Sequence, residues 1–148
     1  MFDYAKEKLF HPLSIMNIEW IKRSDGEEIA ASGMRMRPRD LAKIGQLLLN
    51  QGRWNGNQLV PSEWLAESFE GSILAYGYTK YGYHWYLPRN YKWSNGQVGA
   101  AGNGGQRLAI FPDYRLVVVI TAGNYNRPNA YKLPRKILRE FVLPALTN

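Results

Sequence analysis

Four glycines fall in the seven positions from Gly99 to Gly105. A residue without a side chain lets the backbone approach a neighbour or a ligand closely. The same run also suits a tight turn into a strand. Just upstream, Tyr76, Tyr78, Tyr81, Tyr83, Trp85, Tyr86, Tyr91 and Trp93 fall within 18 residues. Their rings can line a pocket or stack on bases. The odd-number spacing from Tyr81 to Trp85 equally fits one apolar face of a strand. Core packing and pocket wall both stay open on the residues alone.

The nucleophile inventory is short. The chain has no cysteine, which removes a disulfide framework, a thiolate metal site and a cysteine nucleophile. It has two histidines, His11 and His84, too few for a histidine-rich metal centre. A general base needs a nucleophile within reach. His84 has none evident beside Trp85 and reads as structural. His11 precedes Pro12 and reads as a surface or cap residue.

The elements that must position these residues follow from periodicity. Phe2, Ala5, Leu9 and Phe10 recur at helical steps until Pro12 stops them. Residues 18–32 read as irregular or hairpin structure, with Asp25-Gly26 as a turn. The spacing predicts a helix over 38–50: Pro38 suits its first position and Leu41, Ile44, Leu47 and Leu48 form an apolar stripe. A short helix is expected over 61–69. Three strands are expected, over 81–87, 107–111 and 116–121. The last is so apolar and β-branched that it reads as a buried central strand. A helix over 131–143 closes the chain, with Leu133, Ile137, Leu138 and Phe141 facing inward. Short links between strands imply antiparallel neighbours. The fold class is therefore α+β: an antiparallel sheet of three strands, a C-terminal helix packed on it, and an N-terminal helical portion. The helical portion covers 1–70, the rest 71–148, and the two are expected to form one folded unit. One helix covers one sheet face, so the other face is expected to want a partner.

The 148 residues suffice for one core. The net charge is +7, but the basic residues are spread out. Lys132, Arg135, Lys136 and Arg139 share one helix side and read as a solvated face, so no nucleic-acid partner is expected. No apolar run approaches the ~20 residues of a membrane span. Met1-Phe2-Asp3-Tyr4 has neither the basic lead nor the apolar stretch of a signal peptide. Export is thus not encoded in this chain, although a precursor of the parent protein can carry a signal elsewhere.

Several segments together resemble the C-terminal part of the serine β-lactamase-related family, which includes class C β-lactamases, D-peptidases and esterase-like enzymes. They are Ala31-Ser32-Gly33-Met34-Arg35-Met36-Arg37-Pro38-Arg39-Asp40-Leu41-Ala42-Lys43-Ile44-Gly45, Gly52-Arg53-Trp54-Asn55-Gly56, Val60-Pro61-Ser62-Glu63-Trp64, Tyr81-Gly82-Tyr83-His84-Trp85-Tyr86, Gly102-Asn103-Gly104-Gly105-Gln106-Arg107 and Val117-Val118-Val119-Ile120-Thr121-Ala122-Gly123-Asn124. They run in family order across nearly the whole chain.

The resemblance implies an incomplete β-lactamase/transpeptidase-like fold. In the complete family domain, a serine in a Ser-x-x-Lys motif attacks an amide or ester and forms an acyl-enzyme. Here the residues three positions after Ser14, Ser24, Ser32, Ser62, Ser68, Ser72 and Ser94 are Asn17, Glu27, Arg35, Leu65, Gly71, Ala75 and Gln97. None is lysine, so no catalytic residue is assigned. A Tyr-x-Asn motif is also missing from the helical portion. Met1 is expected to follow the point where both motifs stand in the family.

What the resemblance carries over is the family's third element. Gly104-Gly105-Gln106 resembles its Lys-Thr-Gly position, where some relatives place histidine at the site of Gly104. The backbone amides near Gln106 and Arg107 then make half an oxyanion hole. Arg107 is a candidate for a bidentate contact with a substrate carboxylate. Tyr81 and Tyr83 are candidates for an acyl-pocket wall in a complete domain. The expectation is a fragment inactive alone, needing no cofactor or metal, whose partner is the missing N-terminal half or a second copy of the chain. A non-catalytic interaction or self-associating domain is the alternative.

Overall fold

The computed structural model describes residues 1–30, 32–70, 73–75, 79–88 and 97–146. Tyr76, Tyr78, Tyr91 and Trp93 of the aromatic run lie outside them.

The first helix, α1 (Phe2–Ala5), continues over Lys6–Phe10 in wider π-type turns. Phe10, Leu13 and Ile15 are buried together with Leu47 of α2 (Pro38–Leu49). This cluster joins the N-terminal segment to α2, with Trp54, Leu59 and Val60 at its margin. Two short strands, β1 (Ile18–Trp20) and β2 (Met34–Met36), pair antiparallel across the 21–33 loop. The Trp20 indole N–H ties that loop down by donating to the Ile29 carbonyl at 3.0 Å. A small hairpin of β3 (Arg53–Trp54) and β4 (Asn57–Gln58) leads to α3 (Ser62–Glu70).

The main sheet corrects the expectation of three strands. Among the described residues it has six, all antiparallel: β5 (Ile73–Ala75), β6 (Thr79–Gly82), β7 (Trp85–Pro88), β8 (Val98–Gly102), β9 (Gln106–Phe111) and β10 (Leu116–Ile120). Their order across the sheet is the reverse of their order in the chain. The expected strand over 81–87 is two strands. Tyr83 and His84 both take positive φ, +46° and +68°, and make a two-residue hairpin turn. Such turns normally advertise themselves as Asn-Gly or Gly-x, and Tyr-His gives no such sign. The β8 strand, Val-Gly-Ala-Ala-Gly, has little strand propensity of its own. Its five pairings with β9 hold it in the sheet.

Two further expectations change. Among the described residues β10 pairs with β9 alone, so it is an edge strand and not a central one. Its continuous apolar run has another cause: both of its faces are covered. Val117 and Val119 pack toward Leu41, Leu48 and Leu49 of α2. Leu116, Val118 and Ile120 pack toward Leu138 and Leu143 of the C-terminal helix. That helix is α4 (Lys132–Ile137), extended over Leu138–Val142 in π-type turns. The sheet therefore has helices on both faces, and the face expected to be bare is occupied by α2 and by Phe69 of α3.

The closing helix is also turned from its expected orientation. Pro134, Leu138 and Leu143 are buried, whereas Leu133 and Phe141 are 57% and 65% exposed. Pro134 packs beside Gly105 and fixes which side of α4 meets the sheet. The π-type turns then change the rotation per residue.

Candidate functional site

The glycine run closes the β8–β9 hairpin. Asn103–Gly105 form a single tight turn between Gly102 and Gln106, which face each other in the ladder. Gly104 and Gly105 are buried at φ +83° and +97°, a region that side chains resist. The close approach these glycines permit is made by the chain's own 121–134 segment. A Cβ at Gly104 would sit 2.9 Å from the Tyr125 ring, and one at Gly105 would sit 2.8 Å from the Ala130 carbonyl.

Side chains seal the same contact. Gln106 donates its carboxamide N–H to the Ala122 carbonyl, and its Oε1 accepts from the Ala122 amide at 3.2 Å. Asn103 and Asn126 exchange two hydrogen bonds, at 2.7 and 3.0 Å. The Asn124 amide donates to the Gly104 carbonyl at 3.2 Å. The turn is thus a rigid platform of backbone groups. Asn103 and Asn126 were not singled out by sequence. The available sign was Asn126, whose φ of +56° suits asparagine in a left-handed turn.

The other candidates do not join this platform. Arg107 lies one residue into β9, on the opposite face from Gln106, in the row Ala101–Arg107–Ile120 under α4. It is half-buried. Burial first, and the neighbouring Arg135 second, push its guanidinium below its ordinary pKa, while Tyr86 opposes them.

Tyr81 belongs to β6, three strands from β9, or ~14 Å at sheet spacing. Its hydroxyl sits 3.0 Å from His84 Nδ1, and its ring lies 4.8 Å from that of Tyr86. Tyr83 occupies the hairpin turn and leans toward α3, donating to Glu67 at 2.7 Å and meeting Trp64 edge-on at 4.8 Å. Glu67 raises the Tyr83 pKa, chiefly by this hydrogen bond and then by its charge. Tyr81, Tyr83 and Trp85 therefore do not share one strand face: Trp85 packs on Phe69 with the α2 side of the sheet.

An open cleft of about 560 Å³ lies at the far end of β9, between Asn50, Arg53 and Trp54 on one side and Pro112 and Arg115 on the other. It is separated from the glycine turn by the length of the strand, ~20 Å. Among the described residues no group of His, Asp and Glu is placed to hold a metal ion, and no helix is long and apolar enough to cross a membrane. The hydroxyl of buried Ser68 donates to the Trp64 carbonyl of its own helix at 2.7 Å.

A glycine-turned antiparallel sheet with helices on both faces has clear counterparts among solved structures. A Bacillus anthracis protein described as a candidate 6-aminohexanoate-dimer hydrolase superposes with a TM-score of 0.81 at 25% identity, over 97% of this chain and 38% of its own. The fold is part of the β-lactamase-like serine hydrolase fold. Unliganded simvastatin synthase from Aspergillus terreus shares that β-lactamase-like fold at a TM-score of 0.67 and 14% identity, over 99% of this chain and 49% of its own. A Bacteroides dorei protein described as a candidate β-lactamase matches at 0.66 and 12%, over 97% of this chain and 50% of its own. The chain thus spans half or less of these β-lactamase-like structures. No protein-family model matches the chain, and no curated protein does.

Proposed function

We propose that this chain is the C-terminal portion of a β-lactamase-like serine hydrolase. In the complete protein such an enzyme hydrolyses an amide or ester through an acyl-enzyme. The observation that carries this reading is the fit of 97% of the chain onto 38% of one solved hydrolase-like structure, with the glycine turn built as a rigid backbone platform. In the complete site the amides around Gly104, Gly105 and Gln106 supply half of an oxyanion hole, whose other half comes with the nucleophile. Tyr81 and Tyr83 belong to the sheet end that an N-terminal portion would complete.

The isolated chain lacks a serine followed at the third position by lysine. It is therefore expected not to react with a fluorophosphonate or a fluorescent penicillin. Mixing it with a Ser-x-x-Lys-bearing segment encoded upstream should restore labelling of that segment. Stoichiometric labelling of this chain alone would overturn the reading.

A second reading, a self-associating interaction domain, draws on Leu133, Ile137 and Phe141. These stand four residues apart along α4 and its extension, and Leu133 and Phe141 are exposed. A chain that dimerises and restores no labelling when mixed with a Ser-x-x-Lys-bearing segment would favour it.

A further inference from the structure

All twelve acidic side chains of the chain lie among the described residues, and the ion pairs there leave Arg107 without one. A half-buried guanidinium gives up part of its hydration, and among the described residues no acidic side chain is paired with it. Among the described residues, Arg135 of α4 is a cation whose charge acts on Arg107. Burial and that like charge both work against the charged form, Tyr86 works for it, and an added anion beside Arg107 would favour it further.

The positions beside Arg107 on this face are small. Arg107 faces Ala101 across the ladder, and the next row on this face runs Tyr86, Gly99, Ala109. The floor beside Arg107 is therefore made of Gly99 and Ala101, with buried Ala109 closing it on the core side. Diagonal neighbours in an antiparallel pair are ~7–8 Å apart, within reach of an arginine side chain. Gln97 reaches the same floor: a Cβ on Gly99 would meet the Gln97 Nε2 at 3.4 Å. The Oε1 of that carboxamide is buried with no hydrogen-bond partner. A half-turn of the amide exchanges its acceptor for two N–H donors.

We propose that Arg107, together with Gln97 and Arg135 around the small floor of Gly99 and Ala101, forms a binding site for a carboxylate. The fork of Arg107 supplies paired donors, the natural complement of a carboxylate's two oxygens. The carboxylate belongs either to a small molecule or to an acidic side chain of another polypeptide. The site uses no serine nucleophile, so it stands or falls separately from the hydrolase reading.

Titrating the chain with sodium acetate and with sodium hexanoate, against sodium chloride at matched ionic strength, tests this through the Arg107 Nε–H resonance. Both carboxylates should produce a saturable shift that chloride does not, and Arg135→Gln should weaken it several-fold. Hexanoate binding at least tenfold tighter than acetate would assign the site to a small molecule whose tail follows the Tyr86–Tyr81 row. Equal affinities would assign it to an acidic side chain. Carboxylates that act no differently from chloride would overturn the proposal.

Thermal melting of Arg107→Met adds a readout that does not need ligand. Removing an unpaired cation should leave the midpoint unchanged or raise it. A fall of more than about 5 °C would mean that Arg107 is already paired, and would also overturn the proposal.

Discussion

The two ends of the main sheet share one antiparallel ladder and differ in how they are covered. At the β8–β10 end, Leu108, Ala109, Ile110 and Phe111 are all buried, because α2 lies on one face and the C-terminal helix on the other. At the β5–β7 end, Ile73 and Leu74 are 61% and 60% exposed. Both ends make their ladder hydrogen bonds. Hydrogen bonds contribute little net stability, since the unfolded chain makes them with water. Apolar burial separates the two ends, at roughly 25 cal/mol per Å². One end is a finished core, and the other is a sheet end whose stability depends on what lies against it.

The comparison breaks if both ends respond alike to truncation. Phe111 is fully buried, so Phe111→Ala should cost about 3–5 kcal/mol, read from the urea midpoint. Ile73→Ala, at an exposed position, should stay within about 0.5 kcal/mol. A loss of similar size at Ile73 would mean that the β5–β7 end is as tightly packed as the other.

The same contrast explains what was legible in the sequence. The α2 helix was readable to within a residue, because Pro38 and the leucine stripe fix both its start and its buried side. The β9 and β10 strands were readable for the same reason: their residues are chosen by burial. The apolar run of β10 nevertheless pointed to the wrong place in the sheet. Apolar residues on both faces report two covering layers and say nothing about neighbours along the edges. The strands of the other end are only three or four residues long, with a Tyr-His turn in place of a glycine signal, so tertiary pairing had to reveal them. At the site, the glycine run announced a close approach but not the approaching partner. Tyr125, Asn126 and Ala130 reach it from about twenty residues further along the chain. Arg107 read as a candidate carboxylate contact beside the glycines, but strand alternation puts it on the face away from Gln106.

The finished end should also be the intolerant one at its turn. Gly105→Ala places a methyl 2.8 Å from the Ala130 carbonyl at a φ of +97°. Backbone strain and the displaced carbonyl together should cost about 2–4 kcal/mol, and the loss should show in the same urea titration. Ala122 and Asn124 amides, which lean on Gln106 and Gly104, should exchange faster with solvent in that variant. An unchanged midpoint would mean that the 121–134 segment yields easily and that the platform is not rigid.

The smallest effect belongs to the open end. Tyr83 is exposed and is held by its hydrogen bond to Glu67, which raises the phenol pKa. A raised pKa in the folded chain contributes stability below the unfolded value. That contribution disappears as pH climbs through the folded value. Wild type should therefore lose a small increment of stability above the ordinary tyrosine range, and Tyr83→Phe should lack that increment at every pH. Because the pair is exposed, solvent screens it, and the difference between the two melting profiles should be slight. It should shrink further in high salt. A large alkaline difference would show that the Tyr83 turn is more enclosed than its exposure allows, and the contrast between the two ends of the sheet would then be weaker than their burial suggests.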